Sequence, residues 1–417
     1  MKKTNKTFSL MMVVLLIAAF ALAGCGSVKD KNNSGGKGKS SAPTLTIFNS
    51  KVEIVDQLEA LTEEYTEETG VKVEVWGAAG DKYAQQLQSK LTSNQGPSIF
   101  SVKVSEAEKL KSYLYDMSNE DYVKSIAPNM ELKVDDKIVG VPYGVEGYGL
   151  IYNKNMVNPK DVTDYDSFVH TLEKFKSEDI NGLGMSEEDY FLIGHILNTP
   201  FALQDDPIAF IDKLNKGEVK MADTKEFQDF AKFMEAIKAN TKNPLEVTYD
   251  GVIGDFATDK TAMIHQGNWA YGMFEDYDLD FEMGMMPFPL EGNDKLAVGV
   301  GNNWAINGSA DEDENKAAND FLNWMFTSET GQRYIVEEFG FIPAMTNIEA
   351  KDLDPLSQIV LEASNSGQTI PWAFNYFPAN SITNDLSPAA QEFFLSKDMT
   401  GQQLLEKLDA AWANSVK

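Results

Sequence analysis

Three histidines, one cysteine and 64 carboxylates are the side chains of this 417-residue chain best suited to chemistry. His170, His195 and His265 are separated by 25 and 70 residues, and no His-Glu-x-x-His pair places two imidazoles on one helix face. All three are expected to pack rather than ligate. A single cysteine excludes an intrachain disulfide framework and any zinc site built on two or four thiolates. The acidic run Asp311-Glu312-Asp313-Glu314 resembles the start of a calcium loop. Such a loop needs glycine at 316 and glutamate at 322, where Lys316 and Leu322 stand. These acids fit the first turn of a helix, where the macrodipole favours them. There is no Gly-x-Ser-x-Gly elbow, no phosphate-binding Gly-x-x-x-x-Gly-Lys-Ser/Thr, and no strand-linked Gly-x-Gly-x-x-Gly. No cofactor and no metal are expected. Paired carboxylates arise by chance among so many acids, so glycoside hydrolysis stays open at this point.

The aromatic residues are more informative. Four glycine- or proline-flanked segments carry them beside polar side chains. Tyr143, Glu146 and Tyr148 lie in 141–149, and Asn268 and Trp269 in 266–272. Trp304 follows Gly301-Asn302-Asn303, and Trp372, Phe374 and Tyr376 lie in 371–378. A flat ring offers an apolar face to the C–H face of a pyranose, while neighbouring amides and carboxylates satisfy its hydroxyls. Taken singly, each ring could as well fill a core. Together they point to a cleft for a neutral, hydroxyl-rich ligand. The charge agrees. With a net −28 the chain is not built for nucleic acid. Arg333 is its sole arginine, where proteins that grip phosphate or carboxylate ligands use several.

The chain that positions these residues has three parts. Residues 1–24 combine Lys2, Lys3 and Lys6 with an apolar run closed by small residues, the pattern of an export signal. Leu22-Ala23-Gly24-Cys25 resembles the lipobox of bacterial lipoproteins, which implies lipid attachment at Cys25 after cleavage. Residues 25–43 are rich in Ser, Gly, Lys and Asn and read as a flexible, lipid-anchored tether. Leader and tether each carry a net +3, so about −34 falls on residues 44–417.

That body exceeds the usual size of a single core. Residues 45–48 read as a buried strand, 52–69 as a helix stopped by Gly70, and Val71, Val73 and Val75 as a second strand. This is a βαβ unit and implies a parallel sheet. A helix over 81–92 and a strand over 98–102 follow. Further strands are expected at 138–143, 148–152 and 298–306, the last interrupted by Gly299 and Gly301. Helices are expected around 165–175, 227–237, 309–326 and 329–338, and a last one is capped by Thr400.

In this order the residues resemble the extracellular solute-binding proteins of ABC sugar importers, the maltose-binding-protein-like family. The markers are Phe48-Asn49-Ser50-Lys51 with Glu53, 65–73, 143–153, and Met263-Ile264-His265-Gln266-Gly267-Asn268-Trp269-Ala270. The resemblance implies a periplasmic-binding-protein-like α/β fold, with two α/β lobes, a hinge and a ligand cleft between them. Lobe one would be 44–150 plus 302–343, and lobe two 151–301 plus 344–417. Crossings would fall near 149–152, 299–304 and 343–347. Lys51 and Glu53 would reach the ligand from lobe one, and Trp269 would stack on it from lobe two. Glu146 and Tyr148 would sit at the hinge, and Tyr143, Asn268, Trp304, Trp372, Phe374 and Tyr376 would complete the site. Some members carry an aromatic after the strand corresponding to 98–102. Here Val102-Lys103-Val104 stands there, and Trp76 is the candidate replacement. The implied protein is a monomer on the outer face of the bacterial membrane. It would capture a neutral oligosaccharide, with maltooligosaccharides the narrow expectation, and pass it to permease subunits. A lipid-anchored glycosidase and a polyamine- or peptide-binding protein are the rival readings.

Overall fold

The computed structural model describes residues 43–417, apart from 79, 129 and 275. The leader, Cys25 and nearly all of the tether lie outside the described residues. No described helix is long and apolar enough to cross a membrane.

The first strand, β1 (Leu45–Asn49), is followed by helix α1 (Val55–Thr69) and then β2 (Val73–Gly77). Leu58, Leu61, Thr62 and Tyr65 recur at three- and four-residue steps and form the buried face of α1. Gly70 ends the helix at φ 76°, a left-handed conformation that a side chain would resist, and its N–H donates to the Thr66 carbonyl. The turn consumes Val71 and Lys72, so β2 starts at Val73 rather than at 71. The first turn of the expected 52–69 helix is a separate 3-10 turn, Val52–Ile54. Helix α2 (Gly80–Thr92), strand β3 (Ile99–Val102) and helix α3 (Val104–Leu110) come next.

Two sheets organise the body. Strands β4 (Leu132–Val134), β5 (Lys137–Pro142) and β10 (Asn303–Ile306) complete the first, in the order β2-β1-β3-β10-β5-β4. β1 runs parallel to β2 and β3, and β10 runs antiparallel between β3 and β5. The second sheet is built from β6 (Glu146–Asn153), β7 (Met263–Gly267), β8 (Met283–Met286), β9 (Leu296–Gly299) and β11 (Thr369–Pro371). Its order is β11-β9-β6-β7, and β8 takes up the edge of β6 beyond β9. Each sheet has its own core. Leu45, Ile47, Phe321 and Met325 belong to one. Phe168, Phe201, Phe230 and Trp412 belong to the other, where the last helix (Gly401–Ser415) rests on the helix Lys225–Asn240. The fold is thus α/β with two lobes, as the sequence implies.

The second passage between lobes falls within the expected 299–304, while the first differs in position. All eight residues of β6 are buried and paired in the second sheet, so 146–150 belong to lobe two and the first passage is 143–145. The expected strand 298–306, interrupted at its glycines, is two strands in different sheets, with only 300–302 between them. Close approach requires glycine at both positions. A Cβ on Gly299 would stand 2.7 Å from the Trp372 ring, and one on Gly301 2.6 Å from a Glu146 carboxylate oxygen. Ile342 and Ala344 pack in the second-sheet core while Met345 and Ile348 remain in the first, so the chain touches both cores around the expected 343–347 before the helix Pro355–Ser366, which packs on β6, β8 and β9. The passages are laced together. Tyr143 N–H donates to the Asn302 carbonyl at 3.0 Å, and Val145 N–H to that of Ile342 at 2.8 Å.

Smaller differences have local causes. The 309–326 helix starts at Glu312, because the Asp311 side chain accepts from Glu314 N–H and caps it. Its first turn holds the acids as expected. The 329–338 helix becomes π-helical at Tyr334–Glu338. Thr400 and Gln403 form the anticipated reciprocal cap.

Candidate functional site

A cavity of about 750 Å³ opens between the lobes. Its first-lobe wall comes from the turn after β1 and from the starts of α2 and α3. Ser50, Lys51, Glu53, Lys82, Lys103 and Glu106 face it. Asn49 shapes that turn, because its side-chain oxygen accepts from Lys51 N–H at 3.1 Å and its amide donates back to the Lys51 carbonyl. Tyr83 is the one first-lobe aromatic in the wall. It is buried, with its hydroxyl donated to the Phe48 and Ser101 carbonyls.

The second-lobe wall supplies most of the aromatics, Tyr190, Phe191, Tyr249, Trp269, Trp372 and Phe374, beside polar side chains such as Glu188, Asp189 and Asn375. Trp269 and Trp372 meet edge to face at 6.5 Å, and Trp372 lies 5.2 Å from Phe374. The Trp269 indole N–H donates to Gln266 at 3.1 Å. Gly267 makes room for that indole, since a Cβ there would stand 2.2 Å from the ring.

At the base, Lys51 and Glu146 form an ion pair whose side chains are 8% and 6% exposed. The pair joins the end of β1 to the start of β6, and so one lobe to the other. Lys51 Nζ also lies 5.6 Å from the Trp269 ring and 5.5 Å from that of Phe341. Burial works against the ammonium, but the carboxylates of Glu146 and Glu53 more than offset it and hold the Lys51 pKa above the ordinary lysine value. Two further contacts bridge the lobes. Tyr249 O–H donates to Glu53 at 3.1 Å, and Lys103 Nζ stands 4.2 Å over the Tyr190 ring.

Of the residues singled out in the sequence, Lys51, Glu53, Glu146, Trp269, Trp372 and Phe374 line this cavity. The other six do not. Tyr143 and Trp304 stack on each other at 3.8 Å inside the first core. Tyr148 is fully buried beneath the aromatic wall. Asn268 accepts from Gly147 N–H and donates to Ser357, which makes it a brace for β6. Trp76 sits on β2 under Lys90, 4.1 Å from its ammonium, and Tyr376 is exposed at the surface. The histidines divide as well. His195 and His265 are buried, but His170 is exposed on its helix and does not pack, because it lies off the face formed by Phe168, Leu172 and Phe175. Burial pushes both buried rings down in pKa, His265 to about 3, so both are neutral.

Tyr190, Phe191 and Tyr249 were not anticipated. The first two open a π-helical turn, Tyr190–Gly194, behind Glu187-Glu188-Asp189, and no glycine or proline marks them as a loop. Tyr249 opens the helix Tyr249–Ala257 directly after its cap, Thr248. An aromatic next to a helix N-terminus was the available signal.

Comparison with known proteins bears on what such a cleft is for. A sequence profile of the bacterial extracellular solute-binding proteins matches residues 60–358. The chain belongs to that family. Its members are binding proteins, and this one is not an enzyme. The chain is similar to the multiple sugar-binding protein of Streptococcus mutans, with 23% identity over 348 residues, 80% of this chain and 81% of the relative. Among solved structures it shares its fold with the solute-binding protein RafE in complex with raffinose. That match has a TM-score of 0.74 at 19% identity and covers 90% of this chain and all of the other. A chitin oligosaccharide binding protein superposes equally well, with a TM-score of 0.74 at 21% identity over 89% of this chain and 99% of the other.

Proposed function

We propose that this solute-binding protein captures a neutral oligosaccharide between its lobes, outside the cell, and delivers it to the membrane subunits of an ABC importer. The observation that carries the reading is the make-up of the cavity wall. Aromatic faces from the second lobe suit the C–H faces of sugar rings, and hydrogen-bonding side chains from both lobes suit hydroxyls. A ligand touching both stabilises the closed arrangement by its differential affinity for it. No arginine enters the wall. Arg333 is committed to Glu64 and Glu338 on the first lobe. The volume lies within the range of about 300–1,000 Å³ usual for small-ligand sites. The relatives named for multiple sugars, raffinose and chitin oligosaccharides support a saccharide of several units.

In the same reading, Lys51, Glu53, Glu146, Trp269, Trp372 and Phe374 bind the ligand, with Tyr190, Phe191 and Tyr249 added to them. Cys25 carries a lipid that holds the monomeric protein at the outer membrane face, and 143–145 and 300–302 act as hinge segments. Calorimetric titration and thermal shift with raffinose, chitotriose and maltotriose test the proposal. A rise in melting temperature with at least one sugar is expected, since a ligand of the native state stabilises it. Silence with all three, together with a response to spermidine or a peptide, would replace the saccharide reading.

A further inference from the structure

The aromatic wall contains one group that stacking does not explain. His195, the first residue of the helix His195–Ala202, lines the cavity while being only 6% exposed. Its ring is held from several sides. Tyr148 stacks on it at 4.3 Å, and Phe191 and His265 meet it edge-on at 5.1 and 5.2 Å. The Tyr148 hydroxyl is donated to the His195 carbonyl rather than to the ring. Among the described residues neither ring nitrogen has a hydrogen-bond partner, and Nδ1 is fully enclosed. Buried polar atoms are normally paired, so a site that needed only a flat ring would be better served by phenylalanine. His265 also has an unpaired buried nitrogen, Nε2, but its Nδ1 lies 3.1 Å from the Phe191 carbonyl and the ring does not line the cavity, so what sets His195 apart is its place on the cavity wall.

The unpaired nitrogens also choose the tautomer. A proton on Nδ1 would leave an N–H sealed against a wall that offers no acceptor. Placing it on Nε2, which is not sealed, turns the donor toward the cavity and leaves only a lone pair behind. Burial, together with the nearby His265 and Lys103, keeps the ring neutral.

We propose that His195 is a ligand-binding residue, donating from Nε2–H to an oxygen of the saccharide that lies on the Trp269–Trp372–Phe374 surface. This rests on the saccharide reading above. Its ring lies 5.8 Å from those of both Trp269 and Phe374, so a sugar stacked there brings a hydroxyl or ring oxygen within its reach. The donor adds directional selection to rings that recognise only an apolar face.

The test uses the full-length protein with His195→Phe and His195→Gln, titrated calorimetrically with raffinose, chitotriose and maltotriose. The phenylalanine variant keeps ring volume without a donor, and glutamine keeps a donor. His195→Phe is expected to melt no lower than wild type without ligand, and to lose more than roughly tenfold in affinity for whichever sugar binds. His195→Gln should stay within about threefold. Equal affinity of His195→Phe and wild type would overturn the proposal and leave the saccharide reading intact. If wild type binds none of the three sugars, the saccharide reading fails and this inference fails with it. Should His195→Phe not fold, His195→Gln against His195→Met makes the same comparison, and equal affinities there would overturn it.

Discussion

Lys51→Met keeps the length of a side chain and removes its charge, which isolates what the ion pair at the base of the cleft contributes. Glu146 is 4% exposed, and Lys51 is its one ion-pair partner among the described residues. Removing one member of a buried pair typically costs about 3–5 kcal/mol, because the other charge is stranded. The stranded carboxylate regains its solvation only if the lobes part and let water in. The loss is a large share of a total stability of about 5–15 kcal/mol. Lys51→Met/Glu146→Gln, with no charge left, should recover to within about 1 kcal/mol of wild type. Urea denaturation measures the loss, and small-angle scattering shows whether the lobes part. A single variant within about 1 kcal/mol of wild type, with an unchanged scattering profile, would refute the reasoning.

Three other perturbations address the wall. Trp269→Ala should weaken sugar binding by more than roughly tenfold, about 1.4 kcal/mol, with the fold intact, and unchanged calorimetric affinity would remove Trp269 from the site. Gly267→Ala drives a methyl to 2.2 Å from that indole. It should cost binding through displacement of Trp269 and about 1–3 kcal/mol of stability, both readable by titration and denaturation. The two buried histidines predict acid sensitivity. Their folded pKa values lie below the unfolded value of about 6.5, so the stability is full above pH 6.5. It is lost as pH falls toward the folded values, near 3 for His265. The urea midpoint should therefore fall as pH drops from 6.5 to 5. A flat urea midpoint over that range would contradict the neutral assignment.

What the sequence displayed was local. The buried face of α1 recurs at helical spacing, the Gly70 stop is a matter of one backbone angle, and the Thr400–Gln403 cap spans four residues. All of these are legible without knowing what lies across the fold. The interruption of 298–306 was marked by Gly299 and Gly301, but the Trp372 ring packed against them, some seventy residues away in sequence, was not legible. Site residues divided for a related reason. Lys51 and Glu146 could be named, but their pairing depends on two lobes meeting. Tyr143, Tyr148 and Trp304 share their polar, glycine-flanked setting with Trp269, yet they fill cores, since an aromatic ring suits a core and a sugar face equally. Tyr190 and Phe191 escaped because a π-turn shifts helical phase by one residue, and periodicity read at 3.6 does not show where such side chains point.

The short passage at 300–302 has a mechanical consequence. It lies at the base of the cavity, with Gly301 against both Glu146 and Trp372, and it is tied to the neighbouring passage through Asn302 and Tyr143. If the lobes turn about an axis through these laced segments, the arc swept by any atom grows with its distance from that axis. A ligand held over Trp372 would sit close to the fulcrum and be scarcely displaced as the cleft shut, while the outer parts of the first-lobe wall would swing through the full stroke. Contacts at the base can therefore form before closure, and those farther out act with the longer lever. Substitutions near the fulcrum should alter how strongly ligand is first held, and substitutions far from it how long the cleft stays shut.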